Sequence, residues 1–193
     1  MILELLEAPV EEPISLEEAL AHLRLGTAED AVQVQGLIRA AREQIEARTG
    51  VTLCKTKWRA YFNYWPLLRY TALPKPPLLS VHSIRYLRAT HTGTIYDSSY
   101  YPLANEFWSV EPVGPNATRL LRCEAHERLP KLMQIEKAVR IDFYSGAESP
   151  AHIPQGLRIA MLMLLRDLYD QVTEPNSALE SLILQYRHSG FIG

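Results

Sequence analysis

The segment Leu73–Leu87, LPKPPLLSVHSIRYL, limits the fold more than any other stretch of the chain. Pro74, Pro76 and Pro77 each lack a backbone donor and fix φ, so no helix can run through them. Val81, Ile84, Tyr86 and Leu87 then supply strand-forming side chains. The segment predicts a stiff, polyproline-like lead that delivers a strand to a fixed place, with its prolines ahead of the strand or at a sheet edge. It holds no reactive group, so its role is architectural.

The hydrophobic period changes twice along the chain. Ser15 caps a predicted first helix, Glu18 completes a capping box, and Ile14 staples onto Ala19. Leu16, Ala19, Leu20 and Leu23 form its buried face, and Gly26 is read as its left-handed stop. Thr27 opens a second helix, with Glu29 and Asp30 in its first turn and Val34, Leu37, Ile38, Ala41 and Ile45 as its stripe. Gly50 ends it. Trp58, Ala60, Phe62 and Tyr64 then alternate with Lys57, Arg59, Tyr61 and Asn63 as a half-buried strand. Further strands are predicted at 78–87, 107–110, 118–121 and 138–144, and Val139, Ile141 and Phe143 share one face. Residues 97–106 and 124–137 are polar and carry no clear period. Helix returns at Pro154 with Leu157, Ala160, Met161, Leu164, Leu165 and Leu168. Ser177 and Glu180 predict a second capping box for a last helix, with Arg187 and His188 at its negative end and Gly190 as its stop. The fold class is α+β. A small helical bundle from the N- and C-terminal helices (14–50 and 151–188) carries a β-rich insertion (51–148) between the second and third helices, and 189–193 is a short tail.

The residues that would carry chemistry are scattered. The six histidines and two cysteines show neither a three-to-five spacing of histidines nor a Cys-x-x-Cys, so no metal site is expected. No nucleophile elbow, P-loop or dinucleotide-binding glycine motif is present. No catalytic residue and no cofactor is assigned. Cys54 and Cys123 are expected to be buried thiols, and the sequence leaves their separation open. No apolar run approaches the roughly 20 residues of a membrane span. Glu4, Glu7, Glu11 and Glu12 occupy the place where a signal peptide needs a basic start, so synthesis as a soluble cytoplasmic protein is expected.

Charge is unevenly placed although the net value is only −2. Residues 1–30 hold Glu4, Glu7, Glu11, Glu12, Glu17, Glu18, Glu29 and Asp30 against Arg24 alone. From Ala47 to Tyr96 there is no acid. That window carries Arg48, Lys55, Lys57, Arg59, Arg69, Lys75, Arg85 and Arg88 among eight aromatic side chains. An acidic end and a basic middle suit head-to-tail contact between identical subunits, with Glu17 and Glu18 of one facing Lys57 and Arg59 of the next. Bases among aromatics also suit single-stranded nucleic acid. A nucleic-acid-binding module using 48–96 is therefore the rival reading. A small hydrolase whose groups assemble only in the fold is the third.

Three motifs in order resemble one family. They are the opening from Ile14-Ser15-Leu16-Glu17-Glu18-Ala19 to His22-Leu23-Arg24, with its helix ending Ala47-Arg48-Thr49-Gly50; the LP-basic-PPLLSV segment at 73–86; and Val139-Arg140-Ile141-Asp142-Phe143-Tyr144-Ser145-Gly146 before Ile153-Pro154 and an apolar helix. The set spans most of 14–170 and is similar to the head–tail connector (adaptor) proteins of long-tailed phages and related particles. The resemblance implies a non-enzymatic structural protein. It would form a dodecameric ring under the portal, extend the channel through which DNA passes without sequence specificity, and dock the tail or its stopper. It implies a place in the virion at the head–tail interface, host cytoplasm during assembly, and no membrane partner. It also implies a C-terminal segment, Gln185–Gly193, that binds the portal through Tyr186, Phe191 and Ile192. The large β region and the lack of a match over 124–137 depart from shorter members, so what the insertion contacts is left open.

Overall fold

The computed structural model describes residues 1–26, 31–65, 70–89, 99–113, 118–124 and 128–187. They form two compact units, each made from two stretches of chain. One unit is 9–55 with 146–193, and the other is 1–8 with 56–145.

The first unit is helical. It holds α1 (Leu16–Leu23), α2 (Ala31–Thr49), α3 (Gln155–Tyr169) and α4 (Ser177–Tyr186). Ser15 caps α1 by accepting from the Glu18 N–H at 3.0 Å. The helix reverses at Arg24, φ 60°, and the Leu25 N–H closes on Leu20 O at 3.0 Å. Gly26 therefore follows the turn rather than making it. The α2 stripe of Val34, Ile38, Ala41 and Ile45 is buried with Leu157, Ala160, Met161, Leu164 and Leu165 of α3 and Leu179 and Ile183 of α4. Each large side chain buried in this way contributes about 1.5–3 kcal/mol. Gly50 stops α2 with φ 72°. Asn176, not Ser177, caps α4, since its side chain accepts from the Leu179 N–H at 3.3 Å. Thr27, Glu29, Asp30, His188, Gly190, Phe191 and Ile192 lie outside the described residues.

A polar clamp closes the end of α2. Arg42 is buried and meets Glu12 at 2.8 Å, Glu46 at 3.2 Å and Glu43 at 3.5 Å. Burial works against its charge, yet these carboxylates hold its pKa above the ordinary value. Glu46 also accepts from the Leu53 N–H at 2.8 Å, which ties the helix to the segment that follows it. There Ala147 N–H donates to Leu53 O at 3.0 Å, and Cys54 bridges Ala147 in parallel.

Among the described residues the second unit is strand and turn, with a short 3-10 helix at Asn105–Phe107. Its five-stranded antiparallel sheet has the order β1-β2-β8-β4-β5, made of β1 (Ile2–Glu7), β2 (Thr56–Phe62), β8 (Val139–Ser145), β4 (Leu78–Tyr86) and β5 (Tyr101–Pro102). A three-stranded sheet has the order β3-β7-β6, made of β3 (Tyr70–Thr71), β7 (Thr118–Cys123) and β6 (Trp108–Val113). Ala60, Ile84, Val139, Ile141 and Phe143 from the larger sheet and Leu121 and Cys123 from the smaller join one buried core. The proline-rich lead does precede β4, but it bends: Lys75 has φ 62° and Pro76–Pro77 is cis. β1 was assigned no element from sequence.

Candidate functional site

Alternation along β2 and β8 puts Ala60, Ile141 and Val139 into the core and turns Arg59, Tyr61, Arg140 and Asp142 to the opposite face. On that face the register builds rows across the sheet. One row runs Glu4, Arg59, Asp142 and Ser83. The next runs Ile2, Tyr61, Arg140, Arg85 and Pro102.

The first row is neutralised within the subunit. Arg59 forks onto Asp142, with Nε to Oδ1 at 2.7 Å and the terminal nitrogen to Oδ2 at 2.9 Å, and lies 4.0 Å from Glu4. The bond to Asp142 raises the guanidinium pKa. Burial pushes the Asp142 carboxyl up, but Arg59 outweighs it and holds the pKa below the ordinary value, with Arg140 and His82 adding to the effect. Lys57 reaches Glu7 at 2.6 Å and lies 5.4 Å from the Tyr144 ring, and its pKa is raised chiefly by the Glu7 bond. The two cations predicted for the ring contact, Lys57 and Arg59, thus already hold carboxylates of their own chain. Of the predicted acids, Glu18 holds Arg158 at 2.7 Å, and Glu17 is exposed with no ion pair among the described residues. Asp142 escaped the sequence reading, although assigning Val139, Ile141 and Phe143 to one face puts Arg140, Asp142 and Tyr144 on the other.

The second row is cationic. Arg140 and Arg85 stand directly opposite each other, and neither makes an ion pair among the described residues. Arg140 packs over the Tyr100 ring at 4.7 Å, and its Nε is buried without a hydrogen-bond partner among the described residues. Lys137 lies 5.1 Å over the Tyr61 ring, whose hydroxyl donates to Glu4 at 3.0 Å. Lys75 covers Trp58 in the same manner at 5.3 Å. Two of the eight aromatics that suggested base stacking, Trp58 and Tyr61, thus have cations on their faces.

In the helical unit, the predicted portal anchor Tyr186 is half-buried, and its ring lies where a Cβ on Gly156 would come within 2.8 Å of it. A cleft of about 660 Å³ is lined by residues that include Glu11, Ser15, Arg39 and Arg158. Ser15 is engaged in its cap, and Arg158 in Glu18 and the Pro13 carbonyl. Ser149 Oγ lies 2.9 Å from His152 Nδ1 at the surface, and no carboxylate orients that ring among the described residues. No three His, Cys, Asp or Glu side chains among the described residues converge to hold a metal. Cys54 and Cys123 are free and buried. No helix among the described residues is long and apolar enough to cross a membrane.

The fold recurs in solved particles. A chain in the virion of the native gene transfer agent (GTA) particle is 25% identical, with a TM-score of 0.76. A chain in the neck of the empty GTA particle computed with C6 symmetry is 23% identical, with a TM-score of 0.75. A chain in the neck of the native GTA particle computed with C12 symmetry is 23% identical, with a TM-score of 0.69. Each alignment covers 100% of this chain and 98% of the other. No protein-family model and no curated protein matches the sequence.

Proposed function

We propose that the chain is a structural connector in the neck of a phage-like particle. In this reading it forms a dodecameric ring beneath the portal, extends the DNA channel and offers a docking surface to the tail or stopper. The observation that carries it is the end-to-end likeness to chains of GTA necks, one of them computed with C12 symmetry. The order of connector-like motifs along the sequence supports it independently. Engaged or exposed polar groups, rather than a convergent reactive set, agree with a structural role. The nucleic-acid reading draws less support, because Trp58 and Tyr61 of its aromatic set are already faced by cations.

Portal attachment is assigned to the C-terminal segment, with Phe191 and Ile192 as apolar anchors and Tyr186 fixing the helix end from which they leave. The test is native mass spectrometry and electron microscopy of the chain alone and mixed with the portal ring of its own particle. A ring of copies seated on the portal is the expected result, and a chain that stays monomeric in both samples would sink the reading. Deleting Phe191–Gly193 is expected to weaken portal attachment and leave the subunit's melting temperature unchanged. A fall of several degrees with attachment intact would assign the tail to the subunit's own core.

A further inference from the structure

We propose that the ring closes through the cationic row of the five-stranded sheet, with Arg85 and Arg140 of one copy receiving Glu17 and Glu11 of the next. The inference rests on the ring reading above and names its contact.

The fold pairs some charges within the subunit and leaves others over. Within residues 1–26, Glu4 and Glu7 go to Arg59 and Lys57, Glu12 to Arg42, and Glu18 to Arg158. Glu11 and Glu17 are left, both exposed and without an ion pair among the described residues. On the strands, Lys57 and Arg59 hold carboxylates, whereas Arg85 and Arg140, like Arg88 just past β4, make no ion pair among the described residues.

Like charges directly opposite on a sheet are unfavourable, because their Cβ atoms stand only about 5 Å apart. A fold that sets Arg140 against Arg85 carries a local repulsion that an anion between them would relieve. Two planar guanidiniums side by side suit a carboxylate, which each can meet with paired donors. Arg140 is also held in place by the Tyr100 ring, while Arg85 is exposed and accessible. Acids of one copy meeting bases of the next, repeated head to tail, make a heterologous contact, the kind that closes into a ring when the rotation allows.

The decisive experiment is a charge swap read by ring assembly. Arg85→Glu alone and Glu17→Lys alone should each raise the concentration needed for half-assembly about tenfold or more at about 50 mM salt, since like charges then face each other. Arg85→Glu combined with Glu17→Lys restores an opposite pair and should recover assembly. Circular dichroism and melting of each subunit establish that it is folded. Arg140→Gln, which keeps the donor and loses the charge, gives an intermediate deficit without a new carboxylate beside Asp142. Rings that form normally with either single reversal overturn this contact and leave the ring reading standing. Rings unaffected by Arg85→Glu while the subunit loses affinity for duplex DNA would assign the row to phosphate instead, and the contact would again be wrong. Wild-type protein that never forms rings, alone or with its portal, overturns both.

Discussion

Asp142 is a carboxylate set in a strand whose other face is core, and Arg59 keeps it charged. Its folded pKa lies below the value of about 3.9 expected for an unfolded aspartate. The pair's contribution is therefore complete above that unfolded value and is lost as pH falls through the depressed folded one. Replacing Arg59 by Met leaves burial as the main influence on the carboxyl and should move the acid-unfolding midpoint to higher pH. It should also cost about 2 kcal/mol or more at neutral pH. Acid titration followed by circular dichroism, with carboxyl NMR of Asp142, measures both. Gly146 is a second residue with no substitute. It has φ 95°, and an added Cβ would lie 2.2 Å from Cys54 O. Gly146→Ala should destabilise the protein by about 2–4 kcal/mol in urea melts. The thiol of Cys54 is pushed up to about 12 by burial and then by Glu12 and Glu46, and that of Cys123 to about 11 by burial alone. Neither should react with iodoacetamide at pH 8 until the chain is unfolded, because the thiolate is the nucleophile. Labelling of either under native conditions would show that its surroundings open.

The helices were legible because one face of each carries the core at helical spacing, as with Val34, Ile38, Ala41 and Ile45. β8 was legible from the two-residue period of Val139, Ile141 and Phe143. β1 was not. Its half-buried positions Leu3 and Leu6 stand three apart, and a register shift between Leu5 and Glu7 breaks the alternation that marks a strand. Its leucines and glutamates are also helix formers, so only pairing with β2 decides its state. Caps were readable by type but not by place. Ser177 and Glu180 fit a capping box, yet Asn176 one residue earlier takes the Leu179 N–H, and its amide also donates to Asp167 at 3.1 Å. Asn176→Ala should cost about 1 kcal/mol, whereas Ser177→Ala should cost little. The reverse order in thermal melts would return the cap to Ser177. Sequence showed a bias of charge but not which acids and bases the fold spends on itself. Lys57 and Arg59 pair with acids of their own chain, and Arg85 and Arg140 make no ion pair among the described residues.

At the scale of the molecule, each unit has a core drawn entirely from its own residues. The helical core runs from Ile14 to Cys54 and from Ile153 to Ile183, and the strand core lies within 60–143. The helical unit also brings its two cut ends together. Cys54 bridges Ala147, and Ala147 N–H donates to Leu53 O at 3.0 Å. A polypeptide of residues 9–55 joined to 146–193 by about four Gly/Ser residues therefore has a connection of ordinary length to span. Its closure costs less entropy than the ninety residues it replaces. The clamp of Arg42 on Glu12, Glu43 and Glu46 lies wholly inside it, as does the pairing of Arg48 with Glu180 that links α2 to α4. We expect this polypeptide to be helical by circular dichroism and to unfold in a single cooperative transition. A helical signal that melts without a transition and binds a hydrophobic dye would mean that the bundle needs the strands to pack. Cooperative unfolding would instead make residues 56–145 a removable elaboration of a helical core. Ring assembly of the polypeptide then becomes informative, since it lacks Arg85 and Arg140 and should stay monomeric.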